Sequence, residues 1–317
     1  MDPLSDVLRV VRLDGAFFYA VEAAEPWSVE AVAARELSPR VMPTAEHLIP
    51  YHIVTEGRCY GGLIGGEQVE LGPGDVIVFP HGDSHIMSSR RGLRLPPGEG
   101  TAPARYRETV HVGSPGRRDT TFVCGFLGCD LRPFNPLLAS LPRQMHVRGM
   151  PSAWLDVFTR HVAEEARLGR PGADCVLTRL AELMFIDVVR RYLEQVSAGE
   201  TGWLAGLRDP VVGRALSFLH AKPGDQWTLA SLAHQVGSSR SNLAERFALL
   251  VGQPPMQYLT KWRMQVAANL LVQGGAKIAA VGGEVGYDSE AAFSRAFKKA
   301  TGVAPGAWRQ ARGAIRG

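Results

Sequence analysis

The stretch TLASLAHQVGSSRSNLAERF, residues 228–247, decides the fold of the last third of this 317-residue chain. It holds an amphipathic segment, then Gly237 where the chain must reverse, then Ser239 and a second amphipathic segment. Glycine tolerates the left-handed conformation of a tight turn, and serine can accept a hydrogen bond from a free N–H at a helix start. The pattern predicts a helix-turn-helix unit.

The same order of features returns about fifty residues later, in IAAVGGEVGYDSEAAFSRAF, residues 278–297. Its second segment again carries apolar residues four apart, which lie on one face of a helix. Between the two copies, residues 255–271 read as one uninterrupted helix that begins at a proline. The sequence therefore predicts an all-α domain of two helix-turn-helix units over residues 203–317.

The charge is divided unevenly along the chain. Residues 203–317 hold fourteen Lys and Arg against six Asp and Glu, a net charge of +8, whereas the first 202 residues carry a net charge of −4. A basic helical segment fits a polyanion, and double-stranded DNA is the expected partner. The alternative is an all-helical interaction domain that binds no nucleic acid, and the duplicated motif in a basic segment favours DNA.

A recognition helix places its N-terminal residues against base edges in the major groove. Arginine can bind guanine through two hydrogen bonds and asparagine can bind adenine in the same way, while a lysine beside the backbone positions without specifying. The predicted DNA-contacting residues are Ser239, Arg240, Asn242, Arg246, Ser289, Glu290, Ser294, Arg295 and Lys298.

The first half of the chain has a different pattern. Between residues 15 and 130, short apolar runs are bounded by Gly, Pro and Asp, which predicts short strands in a β-sandwich or barrel. Residues 90–118 are rich in Arg, Gly and Pro and predict a long loop.

Beyond residue 150 helical spacing replaces the strand pattern. One helix is predicted from Ser152 to Leu168 and a second from Asp174 to Gln195. This helical pair can pack on the barrel or pair with a second subunit. The fold class is therefore α+β, with domains at residues 1–200 and 203–317.

A set of specific motif positions runs through this helical segment: Leu232-Ala233, Val236-Gly237, Ser241, Leu243, Arg246-Phe247, Gly252 to Leu259, Trp262-Arg263-Met264, Val285-Gly286-Tyr287, Ser289, Phe293 to Lys298, Gly302, Pro305 and Arg309. On these positions, residues 209–309 resemble the DNA-binding domain of AraC/XylS-type transcription regulators. One departure is at Gly282 and Gly283, where the family favours alanine and a polar helix former. Two glycines cost a helix roughly 1–2 kcal/mol relative to alanine, which predicts a softer second unit.

The segment from Gly74 to His85 fits the pattern G-x5-P-x-G-x2-H, and His52 and Glu56 fit the pattern H-x3-E. These are the second motif and part of the first motif of the cupins, so residues 47–87 resemble a cupin. A histidine expected two positions before His52 is replaced by Pro50, which weakens the enzymatic metal site of the family. Because residues of equal parity share one face of a strand, His52 and Glu56 are predicted to line an effector pocket.

A zinc ion is expected at His81, His85, Cys124 and Cys129. The two cysteines have four residues between them, a spacing that zinc sites use, and thiolates with imidazoles suit this metal. The alternative is that the thiols are small buried packing groups.

The resemblances imply a non-enzymatic transcription regulator whose N-terminal domain senses a small molecule or metal and dimerises, with RNA polymerase as a candidate partner. The rivals are a metal-dependent cupin enzyme with a DNA-binding appendage and, less favoured, a DNA-repair methyl acceptor. Acidic residues near the N-terminus do not fit a signal peptide, so a cytoplasmic protein without a membrane partner is expected.

Overall fold

The computed structural model describes residues 2–11, 13–96, 109–149, 157–158, 160–162, 164–165, 170–195 and 201–313. The chain divides into two compact units. The sheet unit comprises Leu13–Asp130 and Leu141–Gln195, and the helical unit comprises Met1–Arg12, Leu131–Ser140 and Val196–Gly317. The division differs from the contiguous boundary expected near residue 200, because two short segments of the first half belong to the helical unit.

Secondary structure accounts for most of both units. The helices are α1 Pro3–Val10, α2 Ala34–Val41, α3 Pro136–Ser140, α4 Ala173–Gln195, α5 Trp203–Arg208, α6 Val212–Ala221, α7 Leu229–Gln235, α8 Arg240–Val251, α9 Pro255–Gln273, α10 Ile278–Glu284, α11 Glu290–Thr301 and α12 Pro305–Gly313. The strands are β1 Leu13–Ala24, β2 Ser28–Ala31, β3 His47–Glu56, β4 Cys59–Leu63, β5 Gln68–Leu71, β6 Val76–Val78, β7 His85–Ser88, β8 Thr109–Gly113, β9 Thr120–Cys129 and β10 Met145–Val147.

The strands form two sheets, one in the order β10-β6-β3-β9-β1-β8 and one in the order β2-β7-β4-β5. Apolar side chains of both sheets meet in one buried cluster that includes Trp27, Phe79, Met87 and Phe122. This confirms the predicted double-sheet, cupin-like architecture. Strand β9 pairs with β1 on one side and β3 on the other, so it lies in the middle of the larger sheet.

Two sequence-based expectations in this unit have different outcomes. The loop expected over 90–118 is wrong in part, because β8 pairs in parallel with β1, with Val110 opposite Val21. Residues 97–108 of that loop, and most of the helix expected from Ser152 to Leu168, lie outside the described residues.

The helical unit follows the predicted pattern closely. The side chains of Thr228, Ser239 and Ser289 each accept a hydrogen bond from a backbone N–H at the start of α7, α8 and α11. Each of these bonds satisfies a donor that the helix itself leaves unpaired. Among the described residues, no helix is both long and apolar enough to cross a membrane.

Candidate nucleic-acid interface and buried polar chain

The two helix-turn-helix turns share one hydrogen-bonded geometry. In the first, Gly237 has a φ of 65° and the N–H of Ser238 donates to the carbonyl of Ala233 at 2.9 Å. In the second, Gly286 has a φ of 84°, and the N–H of the next residue closes the same ring, also at 2.9 Å. The sequence repeat is therefore a repeat of helix ending and turn.

The first recognition helix, α8, presents a polar N-terminal turn. Ser239, Arg240 and Asn242 are exposed there, as a DNA-contacting role requires. The side-chain amide of Asn242 donates to the hydroxyl of Ser238 at 2.8 Å, which orients the amide before any DNA arrives. On the opposite face of the helix, Leu243 is fully buried.

Arg246, also predicted to contact DNA, forms an ion pair within the protein. Its Nε and Nη2 atoms lie 2.6 and 2.5 Å from Oδ2 of Asp209, whose side chain is only 7% exposed. The other oxygen of Asp209 accepts from the N–H groups of Val211 and Val212 at the start of α6. Burial raises the pKa of Asp209, but these hydrogen bonds outweigh it and hold the pKa below its ordinary value. Arg246 thus ties α8 to the start of α6.

The second recognition helix, α11, exposes Glu290, Arg295 and Lys298, and Ser294 is half-buried. Its inner face is formed by fully buried phenylalanines, one of which, Phe293, packs against α10. A Cβ added at Gly282 of α10 would lie 3.0 Å from the Cβ of Phe293, whereas one at Gly283 would have nothing within 4 Å. Only the first of the two unusual glycines therefore allows a close helix approach.

Arg263 on α9 fixes the two helix-turn-helix units relative to each other. Its guanidinium donates to the carbonyls of Pro223 and Asp225, both at 2.7 Å, and so binds the loop between α6 and α7. The turn of the second unit packs on the same group, because a Cβ at Gly286 would lie 2.8 Å from Nη2 of Arg263. Arg263 therefore has a structural role in the helical unit, with backbone carbonyls as its partners.

A continuous chain of hydrogen bonds crosses the core of the sheet unit. The hydroxyl of Tyr19 donates to Sγ of Cys124, which lies 2.8 Å from Nδ1 of His52. Nε2 of His52 lies 2.8 Å from Nε2 of His85, and Nδ1 of His85 lies 2.9 Å from the carbonyl of Asp83. Tyr19, Cys124 and His52 are neighbours across β1, β9 and β3, and His85 reaches them from the other sheet.

The carbonyl at the end of this chain determines the position of every proton. A carbonyl only accepts, so Nδ1 of His85 carries a hydrogen and its Nε2, in the neutral ring, accepts from His52. Nδ1 of His52 then accepts from the thiol of Cys124. Burial lowers the pKa of His85 to about 4, lowers that of His52 well below its ordinary value, and raises that of Cys124. All three groups are therefore neutral near pH 7.

Glu56 does not share this interior, which corrects the expected effector pocket. A register irregularity between Val54 and Glu56 breaks the alternation of β3, so equal parity with His52 no longer means the same face. The side chain of Glu56 is 62% exposed, and its Oε2 lies 3.2 Å from Nη2 of Arg118. Of the two predicted pocket residues, only His52 is buried in the core.

The four predicted zinc ligands are not brought together. Cys124 and Cys129 are five residues apart on β9, whose register against β3 runs without a break between them, so their side chains point to opposite faces of the sheet. His81 is exposed, and its Nε2 lies 2.9 Å from the carbonyl of Leu141. In the described part of the chain, no group of three or more His, Cys, Asp or Glu side chains could hold a metal ion. These four residues do not fit a zinc ion.

Sequence reasoning missed two of the residues that organise these sites, Asp209 and Tyr19, and it assigned Cys124 to a zinc site instead. The pairing of Asp209 with Arg246 joins positions 37 residues apart. Tyr19 and Cys124 meet through strand pairing, for which neither local sequence carries a signal. These contacts follow from tertiary structure alone.

Comparisons with known proteins agree with this two-part organisation. A family model described as Cupin matches residues 2–194, and one described as Helix-turn-helix domain matches residues 232–311. An AraC-like transcription regulator of Streptomyces antibioticus is 33% identical over 98% of this chain and 99% of its own length. A second, from Streptomyces lividans, is 34% identical over 98% of both chains.

Among solved structures, the chain is similar to the C-terminal domain of AraT, a response regulator from Geobacillus stearothermophilus. The identity is 33%, the match covers 33% of this chain and 88% of that one, and the TM-score is 0.32. The sequence matches define a two-domain transcription regulator with an N-terminal cupin and a C-terminal helix-turn-helix domain. The chain belongs to the AraC family of transcription regulators.

Proposed function

We propose that this regulator recognises a specific DNA sequence and that a small molecule acting on its sheet unit controls that binding. The main support for specific DNA binding is the pair of equivalent turns, which Arg263 holds in a fixed position relative to each other. Each turn exposes a short polar helix start beside a buried apolar face, which is the arrangement that major-groove readout needs. A net charge of +8 over residues 203–317 supplies the attraction to phosphates.

Selection of the full-length protein on a pool of random duplexes tests this half of the proposal. We expect a preferred sequence with two half-sites on one face of the duplex. Affinity for it should fall steeply with salt, because released counterions accompany each phosphate contact. A pool that returns no preferred sequence contradicts the proposal.

Control by the sheet unit rests on the buried polar chain. His52 is 7% exposed and His85 is 1% exposed, and both lie among the apolar groups of the core. A buried network is stable only while every member is paired, so a molecule that binds one member shifts the whole chain. We expect a thermal-shift survey of small polar molecules to return one that stabilises the protein and changes its DNA affinity. His52→Leu should abolish both effects without abolishing DNA binding.

The outward position of Glu56 argues against the metal-dependent enzyme, since it removes the carboxylate of the first cupin motif from His52. The named relatives are transcription regulators. We therefore propose a sensor without catalytic activity. As a control, no molecule added in the thermal-shift survey should be chemically changed.

We also propose a homodimer that pairs through α4. Val176 and Leu183 of this helix are 41% and 53% exposed, and they lie on one helical face. An antiparallel pairing of two copies centred on Leu183 places Arg179 of each opposite Asp187 of the other, which joins apolar contact to charge complementarity. Sedimentation at tens of micromolar should show a dimer that Leu183→Glu dissociates. Leu249→Glu, at a leucine that is 68% exposed in the helical unit, is the matched control and should remain dimeric.

A further inference from the structure

The helical unit contains a decapeptide from the middle of the chain, Leu131–Ser140, which we name the coupling segment. Only Asp130 separates the start of this segment from the end of strand β9 at Cys129. We propose that the surface of α5 and α9 on the helical unit is a docking site for this segment, and that the docked segment carries the state of the sheet unit to the recognition helices. The second part rests on the proposed ligand control.

The central contact is a hydrogen bond between a backbone donor and a buried side chain. The N–H of Phe134 donates to Oε1 of Gln265 on α9 at 2.9 Å, and Gln265 is only 3% exposed. A buried amide that loses its partner is costly, so this bond admits one position of the segment along α9. An apolar contact alone would tolerate sliding.

Aromatic and apolar contacts surround this bond. The ring of Phe134 meets Tyr258 edge to face at 5.5 Å between centroids, and Nζ of Lys261 lies 5.6 Å from the Phe134 centroid. Helix α3 of the segment contacts α5, and Leu137 and Leu138 are buried. The segment is therefore part of the packed unit and not a covering strand.

Tyr258 extends the contact into the interior of the first helix-turn-helix unit. Its hydroxyl accepts from Nε1 of Trp203 at 2.8 Å and, because an indole N–H only donates, it gives its own hydrogen to Nε2 of His220 at 2.7 Å. These bonds join α5, α6 and α9 around the ring that Phe134 touches. A displacement of the segment thus acts on three helices at once.

A displacement of the segment at Gln265 can affect the position of the recognition helices. Gln265 lies two residues beyond Arg263, whose guanidinium holds the two helix-turn-helix units in a fixed position relative to each other. At its other end the segment continues from β9, the strand whose Cys124 pairs with both Tyr19 and His52. Because the segment follows β9 directly in the chain, a change at Cys124 that displaces the end of β9 acts on Phe134 and through it on α9.

The test uses full-length protein and three substitutions on α9. Gln265→Met removes the acceptor while keeping length, Gln265→Glu restores an acceptor, and Gln257→Met is an exposed control on the same helix. Hydrogen exchange in residues 131–140 and affinity for the selected duplex are measured for each. We expect Gln265→Met to speed exchange and to weaken binding by about ten-fold, with Gln257→Met near wild type and with exchange in Gln265→Glu slower than in Gln265→Met.

A double-mutant cycle with Cys124→Ala tests the coupling itself. If the segment transmits the state of β9, Cys124→Ala changes DNA affinity in wild type but has no further effect in Gln265→Met. Additive effects, or unchanged exchange and affinity in Gln265→Met, overturn the proposal. Should Gln265→Met fail to fold, Phe134→Leu replaces it, since it removes the ring contacts and keeps the backbone bond. If the wild-type protein selects no duplex, the proposed function is overturned. Hydrogen exchange in residues 131–140 still tests the docking of the coupling segment in that case.

Discussion

Asp209 binds Arg246 across 37 residues, with Oδ2 of the carboxylate 2.5 Å from Nη2 of the guanidinium. The same carboxylate caps α6 through its other oxygen, so one nearly buried side chain joins the start of α6 to the recognition helix α8. The pair fixes how α8 is presented to DNA.

Arg246→Met should therefore weaken binding to all duplexes alike. The substitution leaves the Asp209 carboxylate buried without its cation, and we expect a lower free energy of unfolding for the helical unit. Thermal unfolding together with binding to a panel of single-base variants checks this. A loss confined to one base position would show that Arg246 reads that base.

Arg240→Ala and Asn242→Ala should instead change specificity. Both residues lie exposed on the first turn of α8, and loss of a two-bond contact to a base costs ~1–3 kcal/mol at that position. Binding to the same panel measures the loss, with Arg40→Ala on the exposed surface of the sheet unit as control.

Lys298→Ala should lower affinity for every sequence and reduce the salt dependence, since it is expected to contact phosphate.

Gly283→Ala should stabilise the second helix-turn-helix unit by about 0.5–1 kcal/mol, because a Cβ there meets nothing and alanine favours a helix. Gly282→Ala should not, since its Cβ must displace Phe293. Chemical denaturation of the two variants gives the comparison. Equal stabilisation would mean that α10 and α11 are not closely packed.

The sheet unit should lose stability as the pH falls from about 6.5 to about 4. His85 has an ordinary pKa of 6.5 and a folded pKa of about 4, so in this window the unfolded chain binds a proton that the native state refuses. Unfolding measured across this range should give a flatter profile for His85→Gln than for wild type.

The helical unit was readable from sequence because its signals are local. Thr228, Ser239 and Ser289 each cap a helix that begins at the next residue, and the turn glycines have the positive φ that their position implies. Caps and turns depend on neighbours within a few residues, so they survive in any context that keeps the helix.

The interior of the sheet unit was less readable, for two different reasons. The separation of Cys124 from Cys129 follows from strand parity, and the odd spacing was visible in the sequence. The side chain of Glu56 points outward because of an irregularity in β3, and the local sequence does not predict that irregularity. The docking of Phe134 on Gln265 joins residues 131 apart, beyond the reach of any pattern.

Because Arg263 contacts both helix-turn-helix units, the distance and the angle between the two recognition helices are fixed. One base pair inserted between the half-sites of a duplex rotates the second half-site by about 35° around the axis and moves it by ~3.4 Å along it. Two helix-turn-helix units joined only by a flexible tether would follow that shift. A locked pair must leave one half-site unread or bend the DNA, so the spacing between half-sites carries information of its own, apart from the bases.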